Sequence, residues 1–212
     1  MASTNMKVGT KLGLGFGAVI VMLIIIAVIS IMNMKKLSGE VDDMVNDKFP
    51  KTVLANDIID NVNLIARSMR NMLIVRNKDD IAKEMDRVQS ARKVIKEKFD
   101  KLEATIKSEE GKAMLKTSLD ARSNYVVAQD QFFKMTAEGK QAEATDYLLA
   151  DIRKLQTVYF DSVNKLIEYQ SKLMADAGKN AADAVSSAMT IIIVVGLIAL
   201  VVGIVVGFLI TR

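Results

Sequence analysis

The sequence predicts an all-α protein, an antiparallel up-down-up-down four-helix bundle continuous with two transmembrane helices. Three observations carry that expectation. Two charge-free apolar runs of 23 residues, 12–34 and 188–210, bracket an interior that holds all 25 Asp and Glu residues of the chain. Through four successive segments that interior repeats apolar residues at spacings of 4 and 3, the period of one face of an α-helix. Its only proline is Pro50 and its only glycines are Gly39, Gly111, Gly139 and Gly178, so little interrupts the helical pattern.

Each apolar run extends about 35 Å as a helix at a rise of about 1.5 Å per residue, enough to cross a hydrocarbon core of about 30 Å. Lys7 and Lys11 precede the first run as they would in a signal peptide. Its apolar stretch, however, exceeds the roughly 7–15 residues of a signal h-region, and no small-x-small cleavage site occurs before Lys35, so an uncleaved anchor is expected. The expected organisation is a cytoplasmic N-terminus (1–11), a first span (12–34), an extracytoplasmic bundle (35–187), a second span (188–210) and the start of a cytoplasmic linker (211–212). Charge does not fix the orientation: Lys7, Lys11 and Arg212 oppose Lys35 and Lys36, and the interior exceeds the roughly 60-residue loops that obey the positive-inside rule. Gly9, Gly13 and Gly17, with Gly203 and Gly207 in the second run, are spaced to form small-residue faces for close transmembrane packing.

Charge and composition exclude several functions. Of 29 Lys and Arg residues, Lys7, Lys11 and Arg212 lie in the membrane flanks, leaving 26 against 25 acidic residues in 35–187. The basic excess belongs to the membrane ends, and with no Trp and no basic block interleaved with aromatics a nucleic-acid partner has no support. No Cys and no His are present, which removes the thiol and imidazole nucleophile–base pairs, the common zinc ligand sets and the Glu-x-x-His motif of di-iron bundles. The chain is read as a non-enzyme without cofactor or metal. The stretch GTKLGLGFGA has no strand before it and enters an apolar run, so it is not a phosphate loop. The Gly-Lys pairs at 111, 139 and 178 are read as turns.

The first segment leaves the membrane at Lys35 and runs to about Arg76, with Ile58, Val62, Ile65, Met69 and Met72 on one stripe. Pro50 suits a first helical turn or a kink, so residues 47–50 mark where a stalk becomes the bundle. The second begins near Asp79, capped by Asn77 or Asp79, and places Ile81, Met85, Val88, Ile95, Phe99, Leu102 and Ile106 on its stripe; Arg92 interrupts it where an apolar residue is expected. After a turn at 108–111 the third carries Met114, Ser118, Ala121, Tyr125, Ala128, Phe132 and Met135. The fourth starts after Gly139 with Leu148, Ile152, Leu155, Tyr159, Ser162, Leu166, Tyr169 and Leu173, and continues toward the second apolar run. Seams of this period pack antiparallel helices at about 20°, and segments of similar length make a bundle of roughly 40 Å.

Candidate binding residues lie off these stripes. Asn63, Arg67, Arg70 and Ile74 are spaced 4, 3, 4 opposite the first stripe. Two guanidiniums three apart can hold a carboxylate or another planar anion, although a solvated face is the ordinary reading of such a pattern. Arg153, Gln156 and Phe160 occupy a comparable face of the fourth segment, with Thr157 and Tyr159 beside them. Polar groups with one aromatic wall suit a small organic ligand.

The opening MKVGTKLGLGFGAVIVMLIIIAVISI, the helix NLIARSMRNMLI, the segment ADIRKLQTVYFDSVNKLIEYQ and the closing LITR together resemble the sensory half of bacterial methyl-accepting chemotaxis proteins with a four-helix-bundle ligand-binding domain between two transmembrane helices. The resemblance covers essentially all 212 residues. It implies a homodimer in the bacterial inner membrane with its bundle in the periplasm. It also implies a small ligand, often an organic acid or amino acid, bound at the dimer interface between arginines of the first bundle helix and polar residues of the fourth. Arg67 and Arg70 are similar in position to those arginines, and Gln156 and Thr157 to the fourth-helix partners; Asn63 and Arg153 share the two faces. Such receptors continue into a cytoplasmic coiled coil that contacts a kinase complex, and LITR resembles the start of the connecting linker. The sequence is accordingly expected to be either a piece of a receptor or a standalone sensor module. A histidine kinase or nucleotide cyclase output, or a membrane-anchored bundle that binds a partner protein and no small ligand, are the alternatives.

Overall fold

A computed structural model describes residues 8–75 and 77–211, with side chains from 9 to 208 except that of residue 76. Lys7, Arg76 and Arg212, which entered the orientation and helix-end expectations, lie outside the described residues. The described chain is helical almost throughout: α1 (Val8–Asp43), a π-helical segment (Met44–Lys48), α2 (Phe49–Ile74), α3 (Lys78–Thr105), α4 (Glu109–Ala137), α5 (Gln141–Tyr147), a second π-helical segment (Leu148–Ile152) and α6 (Arg153–Thr211). Two compact units result, one of Val45–Met174 and one formed by the chain up to Met44 together with the chain from Ala175 onward.

In the first unit α2, α3, α4 and the combined α5–π–α6 strand form a four-helix bundle. The four stripes line its core: Ile58, Val62, Ile65, Met69 and Met72 are buried on α2, Val88, Ile95, Phe99 and Leu102 on α3, Tyr125, Ala128 and Phe132 on α4, and Leu148, Ile152, Tyr159 and Leu166 on the fourth strand. Burying a side chain of this size is worth about 1.5–3 kcal/mol, which is why the period overrides the unremarkable local propensities. An aromatic layer crosses the middle, with the Tyr159 ring 6.4 Å from Phe99 and 5.9 Å from Tyr125. Arg92, the odd member of its stripe, reaches sideways to α4: its Nε donates to Gln129 Oε1 (2.7 Å), its Nη2 pairs with Asp130 (2.8 Å), and its guanidinium lies 5.3 Å from the Phe133 ring centroid.

The caps agree with the sequence. Asn77 accepts from the Asp79 N–H (3.0 Å) at the start of α3, and Ser108 accepts from the Gly111 N–H (3.2 Å) at the start of α4. Each satisfies one of the N–H groups left open at a helix N-terminus. Of the three Gly-Lys glycines read as turns, only Gly139 takes that role, with a φ of 75° after α4. Gly111 lies inside the first turn of α4, and Gly178 lies within α6. Neither position calls for a left-handed backbone; both instead sit close to a neighbouring side chain. Pro50 is the second residue of α2, directly after the π-helical segment, and the backbone is helical on both sides of it, so its missing N–H interrupts the helical ladder there, the kink position among the two roles expected of it.

The second unit pairs α1 with the C-terminal part of α6 in one antiparallel register. Gly15 faces Val206, residues 30–37 share a shallow apolar cavity of about 260 Å³ with residues 184–192, and Gly178 faces the Met44 side chain. Both helices contain stretches long and apolar enough to cross a membrane, and almost nothing in either stretch is buried within the chain. The small-residue contact differs from the expected one. Gly9, Gly13, Gly17, Gly203 and Gly207 all have open space where a Cβ would stand, whereas a Cβ on Gly15 would overlap the Val206 side chain. Two residues along a helix is a rotation of about 200°, so Gly15 meets the partner helix while Gly13 and Gly17 face away. The buried seam of α6 is made instead by Ala177, Ala181 and Ala184.

Candidate functional site

The six expected site residues divide between two helices of the bundle. α2 carries Asn63, Arg67 and Arg70, all exposed; the first turns of α6 carry Arg153, Gln156 and Thr157, of which only Gln156 is partly covered. Packing brings three of the six together. Arg70, Arg153 and Gln156 line a single groove with Ala66, Leu148 and Leu149. The groove encloses about 70 Å³, room for a carboxylate or a small amino acid head. Asn63 and Arg67 lie one to two turns back along α2 and do not line it, and Thr157 turns its hydroxyl to the Arg153 carbonyl oxygen (3.1 Å).

The floor of the groove explains why these side chains meet. Ala66 is buried and small, so the fourth strand can approach α2 there. The π-helical segment Leu148–Ile152 ends one residue before Arg153, and a π segment inserts an extra residue into the helical repeat and re-aims the side chains beyond it. Leu148 is buried in the core while its neighbour Leu149 is exposed to the groove. Sequence reasoning misses Leu149 and the π segment. Neither changes composition or breaks the apolar period, so no signal in the sequence marks them.

Electrostatically the groove is cationic. Among the described residues neither Arg70 nor Arg153 enters an ion pair, although Asp57, Glu84, Asp100 and Asp130 elsewhere in the bundle are all paired. The charge on Arg70 also reaches inward. Burial pushes the Tyr125 hydroxyl up to about 12, outweighing the downward pulls of Gln129, Arg70 and Arg92. Tyr159 is raised further by the same desolvation. Both hydroxyls are buried without a hydrogen-bond partner, as is Gln129 Nε2, so the bundle core holds polar atoms whose hydrogen bonding is incomplete. Among the described residues no cluster of three potential metal ligands occurs.

The described chain thus combines a helical bundle bearing a cationic surface groove with two helices long and apolar enough to cross a membrane. The chain matches the family model described as a four helix bundle sensory module for signal transduction over residues 5–185. It belongs to that family, the sensory modules of receptors of the methyl-accepting chemotaxis type, and is a sensory rather than a catalytic domain. No curated protein gives a significant match.

Proposed function

We propose that the bundle is the extracytoplasmic sensor of a chemoreceptor and binds a small organic acid or amino acid through its carboxylate in the Arg70–Arg153–Gln156 groove. The observation that carries this reading is the convergence of two guanidiniums, neither ion-paired among the described residues, from α2 and α6 on one groove beside a half-covered amide. Arg and carboxylate form the strongest directional pairs available to side chains, and Gln156 adds a donor and an acceptor. Asn63, Arg67 and Thr157 border the groove and, in a homodimer, supply contacts from the second copy. The outward-facing Gly13 and Gly17 support close packing of two copies through α1. The bundle then lies in the periplasm of a bacterial inner-membrane homodimer, and its output is a cytoplasmic kinase complex.

Signal transfer rests on helix continuity. Arg153 and Gln156 stand on the first turns of α6, which runs without a break to Thr211, so a ligand that shifts this helix relative to α2 displaces the apolar segment attached to it. A ligand does this only by binding one arrangement more tightly than the other, and coupling energies of about 1–3 kcal/mol suffice to bias an output.

The test is a thermal-shift screen of organic acids and amino acids on the full chain in lipid nanodiscs, repeated with Arg70→Ala, Arg153→Ala and Arg67→Ala. A ligand at about 100 times its Kd stabilises by about 2.7 kcal/mol. The expected result is a shift lost in Arg70→Ala and Arg153→Ala and only weakened in Arg67→Ala. Equal shifts in the parent and the Arg70→Ala and Arg153→Ala variants would remove the groove from ligand binding.

A further inference from the structure

The groove that brings Arg70 and Arg153 together holds two positive charges and, among the described residues, no negative one. Of its lining residues, Ala66, Leu148 and Leu149 are apolar, and Gln156 is the only neutral polar side chain. Both guanidiniums are always charged and offer donors alone. The carboxylates nearest in the chain stand elsewhere. On α2 Asp60 precedes Arg70 by ten residues, about 15 Å at a rise of about 1.5 Å per residue. On the fourth strand Asp146, Asp151 and Asp161 are exposed, and none of them lines the groove. Asp151 is two residues from both Leu149 and Arg153, roughly half a turn round the strand from each. Asn63, Arg67 and Thr157 at the border add a third cation and no anion.

That imbalance separates two kinds of carboxylate ligand. The nitrogen of an α-amino acid is two bonds from its carboxyl carbon, so guanidiniums that hold the carboxylate also hold the ammonium close to themselves. Like charges at that range repel, the more strongly where protein replaces water. The ammonium also brings three donors, and at most one side-chain acceptor among the lining residues, the Gln156 amide oxygen, can answer them. An unpaired charge forced beside a like charge is one of the ways a site turns away a ligand that otherwise fits. An α-hydroxyl is neutral and has a single proton to place. A methylene or methyl group needs no polar partner and can rest on Leu149, which is 57 % exposed at the groove wall; covering it removes apolar surface from water.

Resting on the carboxylate reading of this groove, we propose that it selects short carboxylic and α-hydroxy acids over α-amino acids of the same skeleton. L-Lactate and L-alanine differ in a hydroxyl against an ammonium, propionate lacks both, and L-malate and L-aspartate repeat the comparison with a second carboxylate. The experiment is calorimetric titration of each into the full chain in lipid nanodiscs. Lactate and propionate are expected to bind at least tenfold tighter than alanine, and malate at least tenfold tighter than aspartate, with binding lost in Arg70→Ala and Arg153→Ala. Gln156→Glu replaces the amide by a carboxylate of nearly the same shape and should cut the preference for lactate over alanine at least tenfold, whereas a mere packing role for Gln156 would weaken both ligands equally. If that variant binds neither, the parent ratio decides alone. Discrimination below tenfold in the parent, or a ratio that Gln156→Glu leaves unchanged, with binding still lost in Arg70→Ala, would overturn the selection and leave the groove a carboxylate site. No binding by any of the five acids, or binding that survives in both arginine variants, would overturn the carboxylate reading and the selection with it.

Discussion

Arg92 Nε donates to Gln129 Oε1 across 2.7 Å, joining α3 to α4 at the one point where the α3 stripe is not apolar. Gln129 is fully buried, so this guanidinium completes a core side chain as well as pairing with Asp130 on the surface. Truncating it leaves a buried carbonyl oxygen with no donor, a loss of about 1–3 kcal/mol. Arg92→Ala is expected to lower stability by that amount in denaturant unfolding of the full chain in detergent. Adding Gln129→Leu to the same chain should recover part of the loss, because both polar partners are then gone. A double variant as unstable as the sum of two independent losses would contradict the pairing.

The aromatic layer predicts an asymmetry between ring and hydroxyl. Phe99 is buried against the Tyr159 ring, and Phe→Ala substitutions of this kind cost about 3–5 kcal/mol. The Tyr159 hydroxyl, by contrast, is buried without a partner. Tyr159→Phe keeps the ring and deletes an unsatisfied group, so it should leave the unfolding midpoint unchanged or raised. A clear drop would mean that the hydroxyl has a partner in the folded state.

The stripes were legible because burial is periodic: a helix packed on three neighbours hides one face, and that face recurs every 4 and 3 residues whatever the rest of the sequence does. Features set by distant contacts were not. Nothing near Arg92 announces Gln129, which is 37 residues away. Arg67 and Arg70 are alike in sequence, yet only Arg70 lines the groove, because three residues fall about 60° short of a full turn and the lie of the fourth strand decides which arginine it meets. The same geometry selected Gly15 over Gly13 and Gly17. One π-helical segment ends two residues before Pro50, which marked that place in the sequence, whereas the second lies beside the groove with no such residue to announce it.

Glu84 ties α3 to α2 near their shared turn. Its Oε1 accepts from Asn71 Nδ2 (3.1 Å) and Arg87 (2.8 Å), whereas Oε2 is buried with no bond of good geometry. The neighbouring Ser68 hydroxyl is the largest influence holding the carboxyl below its ordinary value of 4.5, with burial opposing it. A depressed folded-state pKa contributes stability that is complete above the unfolded value and is lost as pH falls through the folded one. Parent and Glu84→Gln should therefore differ most at neutral pH, and the gap in thermal midpoint should narrow as pH drops below about 4.5. A gap constant from about pH 7 to about pH 3 would show that the charge of Glu84 has no part in stability.

Two glycines inside helices should respond to alanine in opposite directions. In both, alanine removes backbone freedom from the unfolded chain and favours the helix by roughly 0.5–1 kcal/mol. At Gly178 the added Cβ meets only Met44 Cε, at 3.7 Å, an ordinary contact with the end of a flexible side chain, so Gly178→Ala should raise stability by about that amount. At Gly111 it would stand 2.7 Å from both Ile106 Cγ2 and Ser108 Oγ and 3.3 Å from the Tyr169 ring. Ile106 is buried, and Ser108 is held by the Gly111 N–H and by Tyr169. Neither can yield without opening the α3–α4 turn. Overpacking of this kind costs about 1–3 kcal/mol, more than the helix gains, so Gly111→Ala should lower the unfolding midpoint. If Gly111→Ala proved as stabilising as Gly178→Ala, the close packing of the turn against α6 would be refuted.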